Sequence, residues 1–181
     1  MSSFENTSRP QRLPLLVVVM GVSGAGKTTL AKKLARQSGF TFLDADSLHS
    51  GEAIEQMSQG IPLTDMQREP WIQRIHSQLS EYQLQNKSCT LAYSGLKQQH
   101  RKVIFSAFSN TIGILLRADQ GLIIERLAQR SGHFMSPQLL NSQIAEMQPF
   151  DDEIPLLTLD TADSVEQLIS KSEAFIGLSK G

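Results

Sequence analysis

Residues 21–28 read Gly21-Val22-Ser23-Gly24-Ala25-Gly26-Lys27-Thr28 and match the pattern G-x-x-x-x-G-K-[ST] without a gap. The run follows the apolar stretch Leu15-Leu16-Val17-Val18-Val19-Met20 directly and opens a stretch of helical period. In such an arrangement the backbone N–H groups of the loop and the N-terminus of the helix converge on an anion. The sequence therefore predicts a phosphate-binding loop between a first strand and a first helix, in which Gly21 through Thr29 contact a nucleotide.

Two side chains of this loop carry chemistry. Lys27 would bring a compact charge on a flexible stem to the β- and γ-phosphates, and the Thr28 hydroxyl can ligate Mg²⁺. The alternative, a glycine-rich turn that binds nothing, needs neither the lysine nor the hydroxyl. We therefore predict ATP and Mg²⁺ as cofactors, with Lys27 as a catalytic residue and Thr28 as a metal ligand.

The composition restricts the class of partner. The chain has 181 residues, 17 Lys+Arg and 18 Asp+Glu, so its formal net charge is −1. This balance leaves no broad basic face for nucleic acid, and the longest apolar run is far shorter than the roughly 20 residues of a membrane helix. Cys89 is the single cysteine and cannot form an internal disulfide. We expect a cytoplasmic protein that binds neither nucleic acid nor membrane.

Short apolar runs alternate with longer stretches of helical period, which is the pattern of βαβ units. The predicted strands are 15–20, 40–43, 88–92, 111–116 and 156–159, and the predicted helices are 27–37, 47–58, 70–85, 97–108, 120–129, 137–147 and 164–175. Pro70 is expected in the first turn of its helix, Gly39 as a C-terminal cap and Asp119 as an N-terminal cap. This order predicts a three-layer α/β/α fold with a mostly parallel five-stranded sheet. Residues 1–12 are expected to form a flexible tail and 13–181 a single domain with a helical lid around 126–147.

Two carboxylates, Asp44 and Asp46, follow the second predicted strand, at the sheet edge where open α/β folds bind ligands. Asp44 could hold Mg²⁺ through water, and Asp46 could orient or deprotonate an acceptor hydroxyl. The alternative is that one of them only caps the next helix. His49 follows within one turn, and it is as readily a structural hydrogen-bonding group as a site residue. Aspartates this soon after the first helix of a short chain favour a small-molecule kinase over a GTPase.

A second basic cluster lies near the predicted lid. Arg126 and Arg130 are four residues apart and share one helix face ahead of Ser131-Gly132-His133-Phe134-Met135. In a phosphotransferase, such arginines can clamp the transferred phosphoryl group, and the alternative is a solvated basic face. A lid that excludes water suits a kinase, because water attack would waste ATP.

Five motifs in order resemble those of the small gluconate kinases, which are P-loop enzymes related in fold to shikimate and adenylate kinases. The resemblance extends from about Leu15 to Asp160. Besides the phosphate loop it rests on Phe42-Leu43-Asp44-Ala45-Asp46-Ser47-Leu48-His49, on Gly60-Ile61-Pro62-Leu63-Thr64-Asp65-Met66-Gln67-Arg68-Glu69-Pro70-Trp71, on Ser94-Gly95-Leu96-Lys97 with Arg101, and on Arg130–Met135 followed by Leu139-Leu140-Asn141-Ser142-Gln143. It implies ATP-dependent phosphorylation of D-gluconate at its terminal hydroxyl, giving 6-phosphogluconate. It also implies a possible homodimer.

The resemblance also implies roles for individual residues. Asp46 would be the base or hydroxyl-orienting group, with His49 facing the sugar acid. The cations Arg68 and Lys97 would meet the substrate carboxylate or the transferring phosphoryl group, which makes Lys97 a catalytic candidate. On the lid side, Arg126 and Arg130 would contact the ATP phosphates, and Arg130 would also be catalytic. Arg101 and His133 would be among the substrate-binding residues.

The chain departs from the family pattern on the acceptor side. Gluconate kinases typically follow Leu-His with Pro-x-x-Asn-x-x-Lys-Met, where this chain has Ser50-Gly51-Glu52-Ala53-Ile54-Glu55-Gln56-Met57. Their later motif, Cys-Ser-Ala-Leu-Lys-x-x-Tyr-Arg-Asp, is here Tyr93-Ser94-Gly95-Leu96-Lys97-Gln98-Gln99-His100-Arg101-Lys102. Two alternatives to a gluconate kinase therefore stay open: a shikimate-type or nucleotide kinase, and a nucleotide-binding protein without transferase activity.

Overall fold

The structure, a computed structural model, describes residues 13–128, 137–150 and 154–179. Within these ranges five strands form one sheet in the order β2-β3-β1-β4-β5, and every neighbouring pair is parallel. The strands are β1 (Leu16–Met20), β2 (Thr41–Asp44), β3 (Cys89–Tyr93), β4 (Thr111–Arg117) and β5 (Leu156–Asp160). The predicted five-stranded sheet is confirmed, with each strand within a residue of its expected bounds.

The helices of the described ranges lie between these strands. They are α1 (Lys27–Ser38), α2 (Gly51–Ser58), α3 (Asp65–Leu84), α4 (Gln98–Phe105), α5 (Gln120–Ala128), α6 (Pro137–Glu146) and α7 (Val165–Ser179), with a short 3₁₀ helix at Ala45–Leu48. No helix in the part of the chain that the structure describes is long and apolar enough to cross a membrane.

Two apolar clusters lie on opposite faces of the sheet and make the three layers. Alternate residues of β1 point to opposite faces. Val17 and Val19 pack with α1 and α7, whereas Leu16, Val18 and Met20 pack with α3 and α4. Because both faces of the strand are covered, every residue of β1 is buried and apolar. The predicted α/β/α layering is confirmed.

Capping side chains set the helix starts that the apolar pattern misplaced. α3 begins at Asp65, five residues upstream of the expected start at Pro70, because Thr64 and Gln67 form a reciprocal capping box. Pro70 therefore lies inside the helix. The single helix expected over 47–58 is two elements, since Asp44 caps the 3₁₀ helix and Ser50 caps α2.

The predicted caps at Gly39 and Asp119 are confirmed. Gly39 is left-handed, with φ 69°, and its N–H donates to the carbonyl of Ala35. Asp119 Oδ1 accepts from the N–H of Gly121 at 2.8 Å. The parallel pairing of the strands brings the loops after β1, β2 and β3 to one edge of the sheet, where the candidate site is built.

Candidate active site

The run 21–28 makes a tight turn between β1 and α1. Gly21 has φ 145°, and a Cβ there would lie 2.8 Å from the carbonyl oxygen of Leu116, so a side chain would collide with β4. Gly26 has φ 96° and immediately precedes α1, in a conformation that a Cβ disfavours. Lys27 folds back along the loop, and its Nζ donates to the Val22 carbonyl at 3.0 Å. The loop thus presents its N–H groups and one ammonium group at the start of a helix.

Thr28 and Asp44 meet beside this loop. Thr28 Oγ1 donates to Asp44 Oδ2 at 3.1 Å, and Asp44 Oδ1 accepts from the Asp46 N–H at 3.1 Å. Asp44 therefore caps the 3₁₀ helix with one oxygen and faces the threonine hydroxyl with the other, so the capping and metal-binding interpretations are compatible. Hydroxyl and carboxylate oxygens are ligands that Mg²⁺ prefers. The pair fits an Mg²⁺ that takes its remaining ligands from phosphate and water.

The described residues contain no group of three or more His, Cys, Asp or Glu side chains placed to hold a metal ion.

A pocket opens next to the phosphate loop and brings several predicted site residues together. Its wall is built from the loops after β1 and β2, from α3, from the loop after β3, and from α6. The residues that line it include Ser23, Lys27, Asp46, His49, Arg68, Trp71, Ser94, Leu96, Leu139, Ser142 and Gln143. Five predicted residues, Ser23, Lys27, Asp46, His49 and Arg68, thus share one cavity.

His49 lies flat against the indole of Trp71, with ring centroids 4.2 Å apart and planes 15° from parallel. The indole is itself held by a hydrogen bond from its Nε1 to the Ala45 carbonyl, 2.7 Å long. Burial lowers the pKa of His49 to about 4, and the nearby charges of Arg74 and Arg68 act in the same direction. The imidazole is therefore neutral at neutral pH and contributes hydrogen-bonding capacity to the pocket wall without adding charge.

The two predicted acceptor-side cations are both paired with carboxylates. Arg68 Nη1 lies 2.7 Å from Glu146 Oε2 and 3.4 Å from Asp65 Oδ1. Lys97 Nζ donates to both oxygens of Asp65, at 2.6 and 2.8 Å. This hydrogen bond is the main cause of the lowered pKa of Asp65. Arg68 thus lines the pocket, whereas Lys97 is held against Asp65 and is not among the lining residues.

The structure does not bring Arg101 into the pocket, where the sequence predicts a substrate ligand. Its side chain is fully buried, and its guanidinium donates to backbone carbonyls of two separate segments. Nη1 contacts the carbonyls of Gly95, Leu96 and Gln148, Nη2 that of Pro149, and the guanidinium carbon lies 4.1 Å from the centre of the Phe150 ring. Because these donors already face protein carbonyls, Arg101 joins the loop after β3 to the segment after α6.

The departures on the acceptor side have local explanations. Gln56 Nε2 donates to the Pro62 carbonyl at 3.0 Å, and its Oε1 accepts from Gln67 Nε2 at 2.8 Å, so this residue closes the connection between α2 and α3. Ala53 packs against the apolar cluster of Met57, Leu63 and Leu139. Gly95 has φ 67°, and a Cβ would lie 2.8 Å from Met20 Sδ. Both the positive φ and the side chain of Met20 on β1 therefore favour glycine at position 95.

Arg130 and His133 lie outside the described residues, and so does the side chain of Arg126, although its backbone belongs to α5. Two residues near the pocket were missed from the sequence: Gln143 Oε1 accepts from the Ser23 N–H at 2.7 Å, and Glu146 pairs with Arg68. Gln143 is part of a family motif, but nothing in its local pattern points to the phosphate loop.

The fold and the site define the class. Residues 16–150 match the family model described as AAA domain, and the parallel sheet with its phosphate loop is that of a P-loop kinase. Among solved structures, a crystal structure of a sugar kinase from Janibacter sp. HTCC2649 is 35% identical, with a TM-score of 0.86 over 91% of this chain and 95% of that one. A gluconokinase structure from Sinorhizobium meliloti 1021 is 31% identical, with a TM-score of 0.79 over 90% and 91% of the two chains.

Curated relatives specify the family. The gluconokinase of Gluconobacter oxydans (strain 621H) is 40% identical over 77% of this chain and 79% of its own length. The thermoresistant gluconokinase of Escherichia coli (strain K12) is 35% identical over 87% of this chain and 90% of its own length. The chain belongs to the gluconokinase family.

Proposed function

We propose that this protein transfers the γ-phosphoryl group of ATP to the terminal hydroxyl of D-gluconate, giving 6-phosphogluconate and ADP. The observation that carries the proposal is the pocket in which a phosphate-loop lysine, Lys27, faces the same cavity as a carboxylate, Asp46, and a guanidinium, Arg68. Transfer of a phosphoryl group from ATP to a sugar acid needs all three kinds of group. One binds the donor phosphates, one acts on the reacting hydroxyl and one binds the carboxylate of the sugar acid.

On the donor side, the N–H groups of residues 21–29 and the Lys27 ammonium would hold the ATP phosphates. Mg²⁺, when bound, offsets the negative charge of the phosphates and orients them. Thr28 and Asp44 are the residues that would hold it, and their 3.1 Å contact keeps both side chains at the start of α1. Arg126 and Arg130 remain predicted phosphate clamps.

On the acceptor side, Asp46 would take the proton of the terminal hydroxyl while the oxygen of that hydroxyl forms a bond to the γ-phosphorus. The bond from that phosphorus to the bridging oxygen breaks, and ADP leaves with the electron pair. Arg68 would bind the substrate carboxylate in bidentate fashion, which its planar guanidinium permits. His49, neutral and fixed by Trp71, would offer a hydrogen bond to a hydroxyl group of the sugar chain.

Lys97 and His133 would reach the substrate only after a movement or from the predicted lid. Lys97 would reach the reacting groups only by leaving Asp65, to which it is bonded through both carboxylate oxygens. His133, which matches a residue of a family motif, would bind the substrate from the predicted lid.

We place the reaction in the cytoplasm, since Cys89 is a buried free thiol and the pocket needs cellular ATP. A homodimer stays a prediction.

An acceptor screen tests the proposal. ADP release with Mg²⁺ and ATP would be measured with D-gluconate, with shikimate and with nucleoside monophosphates, each against a blank without acceptor. Turnover with gluconate alone supports the proposal. Turnover with shikimate or a nucleoside monophosphate instead would favour the corresponding kinase, and ATP binding by calorimetry without transfer to any acceptor would favour a binding protein.

A further inference from the structure

One face of α6 contacts both halves of the proposed active site. Leu139, Gln143 and Glu146 follow the spacing i, i+4, i+7 and therefore lie on a single side of the helix. Leu139 packs on Met57 and Leu63 of the acceptor side. The other two residues contact the phosphate loop and α3, where they occupy groups that the two substrates would use.

Gln143 occupies an anion-binding group of the donor side. Its side-chain oxygen accepts a hydrogen bond from the Ser23 N–H, 2.7 Å long. Ser23 lies inside the phosphate loop, whose N–H groups serve to bind phosphate oxygens. An amide oxygen from α6 therefore lies against an N–H group that we predict to bind a phosphate oxygen.

Glu146 occupies a carboxylate-binding group on the acceptor side. Its Oε2 lies 2.7 Å from Arg68 Nη1, the guanidinium that we assign to the substrate carboxylate. The contact has the distance of an ion pair, yet among the described residues Glu146 Oε2 has no hydrogen-bond partner of good geometry. The ion pair between Arg68 and Glu146 is therefore weaker than the two-oxygen contact between Lys97 and Asp65, and a better-aligned carboxylate can replace Glu146.

The chain after α6 is bound to the loop after β3 and to α4. The Gln148 N–H donates to the Leu96 carbonyl at 2.8 Å, and the buried Arg101 guanidinium binds the carbonyls of Gln148 and Pro149. The C-terminal end of α6 is therefore anchored. A displacement that frees Gln143 and Glu146 would pivot about this anchor and would keep α6 attached to the fold.

We propose that α6 competes with both substrates for the groups that bind them: Gln143 takes the place of a phosphate oxygen of ATP, Glu146 takes the place of the carboxylate of the sugar acid, and release of one contact favours release of the other. The inference rests on the proposed function for the identity of the second ligand. Since one helix carries both contacts, a ligand that releases it raises the fraction of protein that is competent for the other ligand. ATP and the sugar acid should therefore each strengthen the binding of the other.

The sharpest test measures ligand binding at the phosphate loop, which Glu146 does not contact. The dissociation constant of the non-hydrolysable ATP analogue AMP-PNP, with Mg²⁺, would be measured by calorimetry for the wild type, for Glu146→Gln and for a control, Glu173→Gln, on the exposed surface of α7. Glu146→Gln removes the ion pair with Arg68 and is expected to tighten AMP-PNP binding about threefold to tenfold, because more of the protein has α6 released. Glu173→Gln should leave the constant unchanged.

A second arm adds D-gluconate. In the wild type, saturating gluconate should tighten AMP-PNP binding by a similar factor, and in Glu146→Gln this factor should fall toward one. The first arm contains no sugar acid, so it decides the inference even if gluconate proves not to be the acceptor. Weaker or unchanged AMP-PNP binding by Glu146→Gln would overturn the inference, because Glu146 would then be a structural support or have no link to the donor side.

Discussion

Arg101 offers a quantitative test, because the structure and the sequence motif lead to opposite expectations. The motif makes Arg101 a substrate-binding residue, so its loss should raise KM for the sugar acid and leave stability alone. The structure buries the side chain completely and turns its donors onto backbone carbonyls of two segments. Arg101→Met, which keeps much of the apolar stem, should therefore act mainly on the free energy of unfolding.

The magnitude follows from the carbonyl groups that lose their donor. Leu96 retains the N–H of Gln148 as a donor, so three carbonyls, those of Gly95, Gln148 and Pro149, lose the partner that the structure gives them. An unsatisfied buried acceptor costs about 1–3 kcal/mol, which applies in full to the Gly95 carbonyl and in part to those of Gln148 and Pro149, whose bonds are half-buried. The buried stem also loses packing, and removal of a buried cation returns part of its desolvation cost. We expect a net loss of about 3–5 kcal/mol, a large share of the roughly 5–15 kcal/mol of a typical domain.

Urea unfolding followed by circular dichroism measures this loss. Arg101→Lys should lose about half as much, roughly 2 kcal/mol, because one ammonium cannot span both segments as a guanidinium does. The matched control is Arg68→Met, whose partners are partly exposed carboxylates. It should cost about 1 kcal/mol but raise the gluconate KM at least about tenfold. A stability loss below about 1 kcal/mol for Arg101→Met, together with a raised KM, would refute the structural assignment.

Three further variants probe the pocket itself. Asp46→Asn should lower kcat by about 10²-fold or more while leaving ATP affinity nearly unchanged, because a base acts in the transition state; equal losses in both would indicate a metal or nucleotide role. His49→Gln should flatten the pH dependence of stability between about pH 4 and 6.5. The unfolded chain binds the His49 proton in that range and the folded one does not, so the wild type loses up to about 2 kcal/mol as pH falls, after allowance for solvent screening. Urea titrations at pH 4.5 and 7 would show it, and an equal pH dependence in both proteins would contradict it. Trp71→Phe leaves the Ala45 carbonyl without its indole donor and should cost about 1–3 kcal/mol in thermal unfolding, whereas an unchanged melting temperature would argue against that bond.

Local patterns were enough to predict the framework of the molecule. The sheet strands are continuous apolar runs, and the phosphate loop is a contiguous motif with glycines at fixed positions, so both can be recognised without knowledge of distant contacts. The start of α3 was misplaced although its signal is also local. The capping box of Thr64 and Gln67 outweighs the preference of Pro70 for a first helical turn.

The site was predictable where function depends on residue type and not where it depends on tertiary contacts. Asp46, His49 and Arg68 were identified from motifs and do share a pocket. Arg101 reads as another cation in a motif, yet the carbonyls it binds after α6 are 47 and 48 residues away. The contact of Gln143 with Ser23 spans 120 residues, and only the packing of α6 over the phosphate loop creates it.

The central claim is that the pocket beside Lys27 accepts a sugar acid and phosphorylates it. The most direct measurement follows ATP consumption with D-gluconate and Mg²⁺ by ³¹P NMR, with Lys27→Ala as the blank. We expect gluconate-dependent formation of a phosphate monoester on the terminal hydroxyl, one for each ADP released, and neither product from the blank. Release of inorganic phosphate alone, at a rate independent of gluconate, would contradict it.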